Sequence, residues 1–296
     1  MANQEVSLTL LAAGRGTRYG GLKQLEPFGP HGELIMDYSI ADAVLAGFTK
    51  VVLVVHRDNL SLFEEKLAKH AMRDQFQLEF AFQEQPLGTA DAARSAAPVV
   101  NEPTAIINAD DYYGGQDVYS QVYNFLANIN REQTLPHYAL LGYPLRDTIS
   151  EFGSVSRGVC RVDSHNRLQY LEEIYEIKRD ETGRIKGKTV SGDSVVLEEA
   201  TLCSMAFWLL APQFMVEVQQ DYQDYLSKPR IEGRAGEFLL TSVIENQRLQ
   251  NRAAVSVIPI AKSEWCGVTS PGDKDSVMAK LATYHEVGRY GRLRLD

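Results

Sequence analysis

Short apolar runs alternate with segments of helical spacing through the first half of the chain. Residues 6–12, 51–55, 78–82 and 104–108 are apolar and bounded by polar or turn-forming residues, the pattern of strands buried on both faces. Between them, residues 37–46, 61–72, 89–97 and 116–129 repeat their apolar positions as an amphipathic helix does. Such alternation predicts an α/β fold: a Rossmann-like three-layer α/β/α arrangement around a mainly parallel mixed sheet. Ligands of such sheets bind beyond the carboxyl ends of the strands. The loop after the first strand and residues 108–111 after the fourth are therefore the first places to look for chemistry.

The second half is less regular. Residues 138–144 and 201–210 read as strands, and 213–225 and 238–248 as helices. The polar stretch 163–197 reads as hairpins that build one wall of a site. A last strand is expected at 253–260, then a turn at 270–272 and a closing helix. No repeat, low-complexity tract or linker interrupts the chain, so residues 1–296 are expected to form one domain with functional halves at about 1–137 and 138–296.

A formal net charge of −9 argues against general affinity for nucleic acid or anionic membrane. The first residues, MANQEVSLTLLAAG, lack basic positions ahead of a strand-sized apolar run, so no leader is expected. No stretch approaches the roughly 20 apolar residues of a membrane helix. Three scattered cysteines, Cys160, Cys203 and Cys266, suit free thiols in a cytoplasmic protein. The six histidines are also scattered and read as surface or core residues rather than ligands.

The densest chemistry lies in LLAAGRGTRYGGLKQL, residues 10–25. An apolar strand runs into a loop holding Gly14, Gly16, Gly20 and Gly21 with Arg15, Arg18 and Lys23 among them. Glycines let consecutive backbone N–H groups close on an anion, and three cations beside them call for a polyanion such as a nucleoside triphosphate. Two commoner phosphate loops do not fit: Tyr19 stands where G-x-G-x-x-G needs its third glycine, and Gly21 is followed by Leu22 rather than Lys-Ser/Thr. Past the fourth strand, Asn108-Ala109-Asp110-Asp111 places paired carboxylates at the same sheet edge. They suit magnesium shared with substrate phosphates, although Asp and Asn also favour turns and caps.

The glycine loop resembles that of the nucleotidyltransferase superfamily with the glycosyltransferase-A-like fold, written L-A-x-G-x-G-x-R followed by a lysine. The resemblance implies that Leu11, Ala12, Ala13, Gly14, Gly16 and Thr17 hold nucleotide, with Arg15, Arg18 and Lys23 catalytic. It places a metal-binding aspartate at Asp110, with Asp111 a second contributor, and implies Mg2+ or Mn2+. Gln83, Gly88 and Thr89 match the Q-x-x-x-L-G-T segment that reads the base in uridylyltransferases. Glu151-Phe152-Gly153-Ser154-Val155 resembles an E-[YF]-G-x-V segment of the sugar pocket, which brings in Gly153. Leu171-Glu172-Glu173 resembles the start of L-x-E-K-P, but Ile174 replaces the lysine and the nearest downstream base is Lys178. Gly236-Glu237-Phe238-Leu239-Leu240-Thr241 resembles an E-[YF]-x-L-T segment. The family's late aspartate is missing from Glu264-Trp265-Cys266-Gly267-Val268-Thr269, leaving Glu264 as the substitute ligand.

Together these parts imply nucleotidyl transfer: a sugar 1-phosphate attacking the α-phosphorus of an NTP to give an NDP-sugar and pyrophosphate. Cytidylyl or guanylyl transfer to another phosphorylated small molecule is the alternative within enzymes. A glycosyltransferase of related fold would not need the loop, and a regulatory module would bind nucleotide without turnover. No nucleic acid or membrane partner is expected, and a homo-oligomer is compatible with this reading.

Overall fold

The computed structural model describes residues 5–14, 22–130, 132–151, 153–228, 236–268 and 272–293. Arg15, Gly16, Thr17 and Arg18 of the glycine loop, Phe152, Thr269 and the 270–272 turn, apart from Gly272, lie outside these residues. The parallel part of the sheet comes from β1 (Ser7–Leu11), β2 (Lys50–Val55), β3 (Gln77–Phe82) and β4 (Thr104–Asn108), in the order β3-β2-β1-β4. Every residue of β2 is buried, as expected of a strand covered on both faces. The two-residue β5 (Asp111–Tyr112) follows β4, and β6 (His137–Pro144) begins the second half. An antiparallel series then extends the sheet through β7 (Val155–Val162), β8 (Leu168–Arg179), β9 (Ile185–Lys188) and β10 (Ser194–Leu197). β11 (Leu202–Leu210) joins the two parts, β12 (Ala254–Pro259) lies parallel beside β6, and β13 (Cys266–Gly267) pairs with β5.

Helices form two layers around this sheet. α1 (Ile35–Ala46) packs on α4 (Gln116–Ala127), whereas α3 (Thr89–Ser95) packs on α5 (Phe214–Ser227) and α6 (Leu240–Leu249). α2 (Leu60–Leu67) follows β2 and is shorter than the 61–72 segment expected. α7 (Asp273–Glu286) closes the chain. Outside α1, a second, smaller apolar cluster joins Phe28, Tyr38 and Tyr112 to Leu281, Tyr284 and Tyr290. None of the described helices is long and apolar enough to cross a membrane, and the three cysteines are unpaired.

β11 changes partner along its length. Trp208, Leu209 and Leu210 pair with β4, whereas Cys203 and Ser204 pair with β7. β6 runs along its other edge, with a register shift between Ser204 and Trp208. Ala206 sits in that shift at φ +61°, the left-handed region. Between the last residue of β4 and the first of β7 the sheet is therefore open, and a hollow forms there.

Two loops from opposite halves are sewn together below this opening. Phe238 N donates to Leu87 O at 2.7 Å, Ala90 N to Phe238 O at 2.9 Å and Leu240 N to the Thr89 hydroxyl at 3.0 Å. These bonds delay α6 to Leu240, two residues later than the spacing predicts, because the backbone of Phe238 is already engaged. Gly88 makes the approach feasible: it sits at φ +132°, and a Cβ there would meet the Phe238 backbone.

Gly88→Ala should therefore cost about 1–3 kcal/mol through strain and the collision, read as a lower urea midpoint; an unchanged midpoint would contradict the close approach. Burial pushes the Asp42 carboxyl up to about 8 and that of Asp37 up to about 7. Across that range the folded chain holds protons that the unfolded chain has released, so stability should fall as pH rises from about 4 to about 8. Urea midpoints near pH 5 and pH 8 should show this fall, and Asp42→Asn should shrink it; an equal fall in the variant would contradict the assignment.

Candidate active site

The carboxyl end of β4 sets the charge of the site. Asn108 ends the strand, Ala109 N donates to Leu11 O at 3.1 Å, Asp110 lies on the turn and Asp111 begins β5. Asn108 Nδ2 donates to Asp111 Oδ2 at 3.0 Å. The other oxygen, Oδ1, lies against Gly267 of β13, where any side chain would displace it. Burial, then the neighbouring charge of Asp110, pushes the Asp111 carboxyl up to about 6, with Lys23 and Asn108 acting in the opposite direction. Two adjacent carboxylates in such a place require positive charge.

Lys23 supplies it. The side chain is 10% exposed, and its ammonium donates to Asp110 Oδ2 at 2.8 Å and to the Val268 carbonyl at 2.6 Å. One cation thus ties the end of the glycine loop, the end of β4 and the segment after β13. At the other end of the loop, Gln24 Nε2 donates to the Gly14 carbonyl at 3.3 Å.

Beside this cluster lies the hollow of about 330 Å3 opened by the partner change in β11. Leu11, Asn108 and Asp111 line one side, Arg157 and Glu173 the other, and Thr89, Thr241 and Trp265 complete it. Arg157 is 8% exposed. Its Nη1 donates to Ser156 O at 2.8 Å and its Nη2 to Thr148 O at 2.6 Å, while Nε has no partner. Burial lowers its pKa, but a guanidinium stays charged in proteins. In register, Arg157 on β7 stands directly opposite Ile174 on β8. Ile174 is the residue that occupies the position of the lysine in the resembled segment.

Several residues expected at the site are brought together. Leu11, Thr89, Asp111 and Glu173 line the hollow, and Lys23 and Asp110 meet beside it. Ala12 and Ala13 are buried at the end of β1, and Gly14 starts the loop. Gly88 lies under the turn before α3, where Gln83 Nε2 donates to its carbonyl at 3.1 Å and to Asp91 Oδ2 at 3.0 Å. Gln83 therefore holds that turn.

Others are placed elsewhere. Glu264 is not brought to the aspartates: Arg289 from beyond α7 grips both of its oxygens, at 2.5 and 3.2 Å, and it borders a different hollow. Lys178 is exposed near the end of β8, opposite Lys186 of β9. Glu172 is the neighbour of Glu173 on a strand and so points to the other face, where the Tyr170 hydroxyl bonds it. Gly153 is exposed and does not border the hollow. Arg157 was missed because β7 itself was not assigned from the sequence. An arginine between Val155 and Val159, in a run whose residues 157–160 are all buried, was the available signal.

Comparisons with known proteins agree with this architecture. Residues 9–174 match the family model described as nucleotidyl transferase. No curated protein matches the chain. Among solved structures, one from Bacillus anthracis, described as a glucose-1-phosphate thymidylyltransferase in complex with a sucrose, aligns with a TM-score of 0.65 at 14% identity, covering 93% of this chain and 95% of that one. A UDP-glucose pyrophosphorylase complexed with UDP-glucose aligns at 0.60 and 19% identity, covering 96% and 99%. The inositol-1-phosphate CTP transferase from T. maritima aligns at 0.62 and 16% identity, covering 95% and 97%. At these identities the structural likeness establishes the shared fold, and the family match spans more than half of the chain. The protein belongs to the nucleotidyl transferase family and is a nucleotidyltransferase enzyme.

Proposed function

We propose that the enzyme transfers a nucleotidyl group from an NTP to a sugar 1-phosphate, releasing pyrophosphate. The observation that carries this reading is the set of charges at the hollow: Asp111 and the buried Arg157 line it, and the Lys23–Asp110 pair lies beside Asp111. A triphosphate and a phosphorylated acceptor must approach although both are anions. The loop cations Arg15, Arg18 and Lys23 would hold the triphosphate and neutralise the leaving pyrophosphate, while the Arg157 guanidinium would supply positive charge to the acceptor phosphate. An acceptor oxygen then forms a bond to the α-phosphorus as the bond to the β-phosphate breaks. The acceptor is already ionised, so no general base is needed, and catalysis reduces to positioning and charge neutralisation.

Asp110 and Asp111 suit a hard divalent cation. The donors are carboxylate oxygens, and Asp111 is held in place with its ionised form disfavoured by burial and by Asp110. When bound there, Mg2+ or Mn2+ would supply positive charge to offset that of the phosphates. Lys23 would then exchange part of its bond to Asp110 for the triphosphate.

The three similar structures carry names that join a nucleotide to a sugar or inositol phosphate, which supports a phosphorylated polyhydroxy acceptor here. One observation favours a second reading, cytidylyl or guanylyl transfer to a non-sugar phosphate. The acceptor-side lysine is replaced by the buried Ile174, and the positive charge comes from the neighbouring strand instead.

Pyrophosphate release, measured with Mg2+ for each NTP against a panel of phosphorylated acceptors, tests the proposal. Release is expected with one NTP and a sugar 1-phosphate, and Lys23→Ala should lower turnover by about 10²-fold. Turnover only with a polyol phosphate would favour the second reading. NTP binding without release for any acceptor would contradict both. Arg157→Gln should raise the KM for the acceptor by about 10- to 100-fold and leave that for NTP little changed; an effect on NTP alone would remove Arg157 from the acceptor side.

A further inference from the structure

Away from the hollow, three ligand-type side chains meet: His31, Glu33 and His285, with one donor atom of each lying within 4.8 Å of the others. They are the one such group among the described residues. His31 and Glu33 belong to a tight turn closed by Phe28 N and Gly29 N, both donating to Glu33 O at 2.9 Å. His285 lies in the last turn of α7. Residues more than 250 positions apart are thus joined at the outer, smaller core.

Glu33 is fully buried. Its Oε2 accepts the His31 backbone N–H at 2.9 Å. Its Oε1 accepts no hydrogen bond and faces His285 Nε2 at 3.4 Å. A buried carboxylate oxygen in that state calls for a cation. The site is shaped around it, since a Cβ on Gly29 would run into both Glu33 Oε2 and the Tyr38 hydroxyl. The His285 side chain is 7% exposed, while His31 is exposed and its ring stands 5.3 Å from that of His285 at 70°.

These distances match a metal centre. A tetrahedral ion with bonds of about 2.0–2.1 Å holds its ligand atoms about 3.3–3.4 Å apart, the spacing already present between Glu33 Oε1 and His285 Nε2. We propose that His31, Glu33 and His285 bind a divalent transition-metal ion of the zinc type, with its fourth position open to water on the His31 side. Two imidazoles and a carboxylate select zinc over magnesium, which prefers all-oxygen sites. The Tyr38 hydroxyl now shares His285 Nε2 at 2.9 Å. On binding it would turn to the carboxylate beside it and orient that ligand. Zinc would clamp the turn that follows Lys23 to α7. It would also stiffen the layer in which Tyr38 packs on Tyr112, the residue next to Asp111.

The full chain, stripped with chelator, would be titrated with Co2+ and Zn2+ while visible absorption and melting temperature are followed. One Co2+ per chain with four-coordinate visible bands and no thiolate charge-transfer band is expected, as is a rise in melting temperature with Zn2+ but not with Mg2+. Loss of an outer-shell partner typically weakens a metal site by about 10–100-fold, so removing a direct ligand in His31→Ala or His285→Gln should cost at least about tenfold. His31 is exposed, so its variant should melt as the wild type does without metal. No stoichiometric uptake, or uptake that His31→Ala leaves unchanged, would overturn the proposal and leave Glu33 and His285 as a buried ion pair.

Discussion

Two neighbouring carboxylates at the mouth of an apolar sheet are the constraint around which this protein is arranged. Asp110 and Asp111 cannot both be ionised and partly buried without a cation close by. Lys23 answers that demand, and its second bond to the Val268 carbonyl draws the segment after β13 to the same place. The β5–β13 pair then sets Gly267 against Asp111, so that carboxylate is positioned by contact as well as by Asn108. Lys23 and Asp110 thus form an ion pair beside Asp111.

The hollow comes from the sheet itself. β11 leaves β4 and takes up β7 through an irregular turn at Ala206, which parts the two strands where Asp111 and Arg157 face one another. Tyr113 supports this geometry from below, its hydroxyl donating to Met205 O at 2.9 Å and accepting from Asn108 N at 3.2 Å. The same side chain therefore couples the acidic turn to the irregular turn that opens the hollow. Across the hollow, the bonds between residues 87–90 and 238–240 fix α6 relative to the nucleotide side.

Local patterns in the sequence carried the parallel half of the sheet well. Buried parallel strands are apolar and uninterrupted, so β1 to β4 were legible, and with them the sheet edge where Lys23, Asp110 and Asp111 meet. The antiparallel half was less legible for a physical reason. β7 buries four successive residues and β8 every third one, with charged residues among them, as in VSRGVCRV and LQYLEEIYEIKR, so neither run shows the two-residue alternation of a half-buried strand. Residues 163–197 were read as hairpins, which they form, but Arg157 went unseen with its strand. Glu264 is paired with Arg289, which arrives from the far end of the chain. Local spacing carries no information about such a capture. The histidines show the same limit, since His31 and His285 become neighbours only after α7 has packed.

Everything proposed for the reaction depends on direct attack by the acceptor on the α-phosphorus within one hollow. The stereochemical course at that atom tests this most directly, using an NTP with sulfur in place of one α-oxygen in a single configuration. One in-line displacement requires inversion in the nucleotidylated product. Retention would contradict it, since retention needs a second displacement through a nucleotidylated side chain.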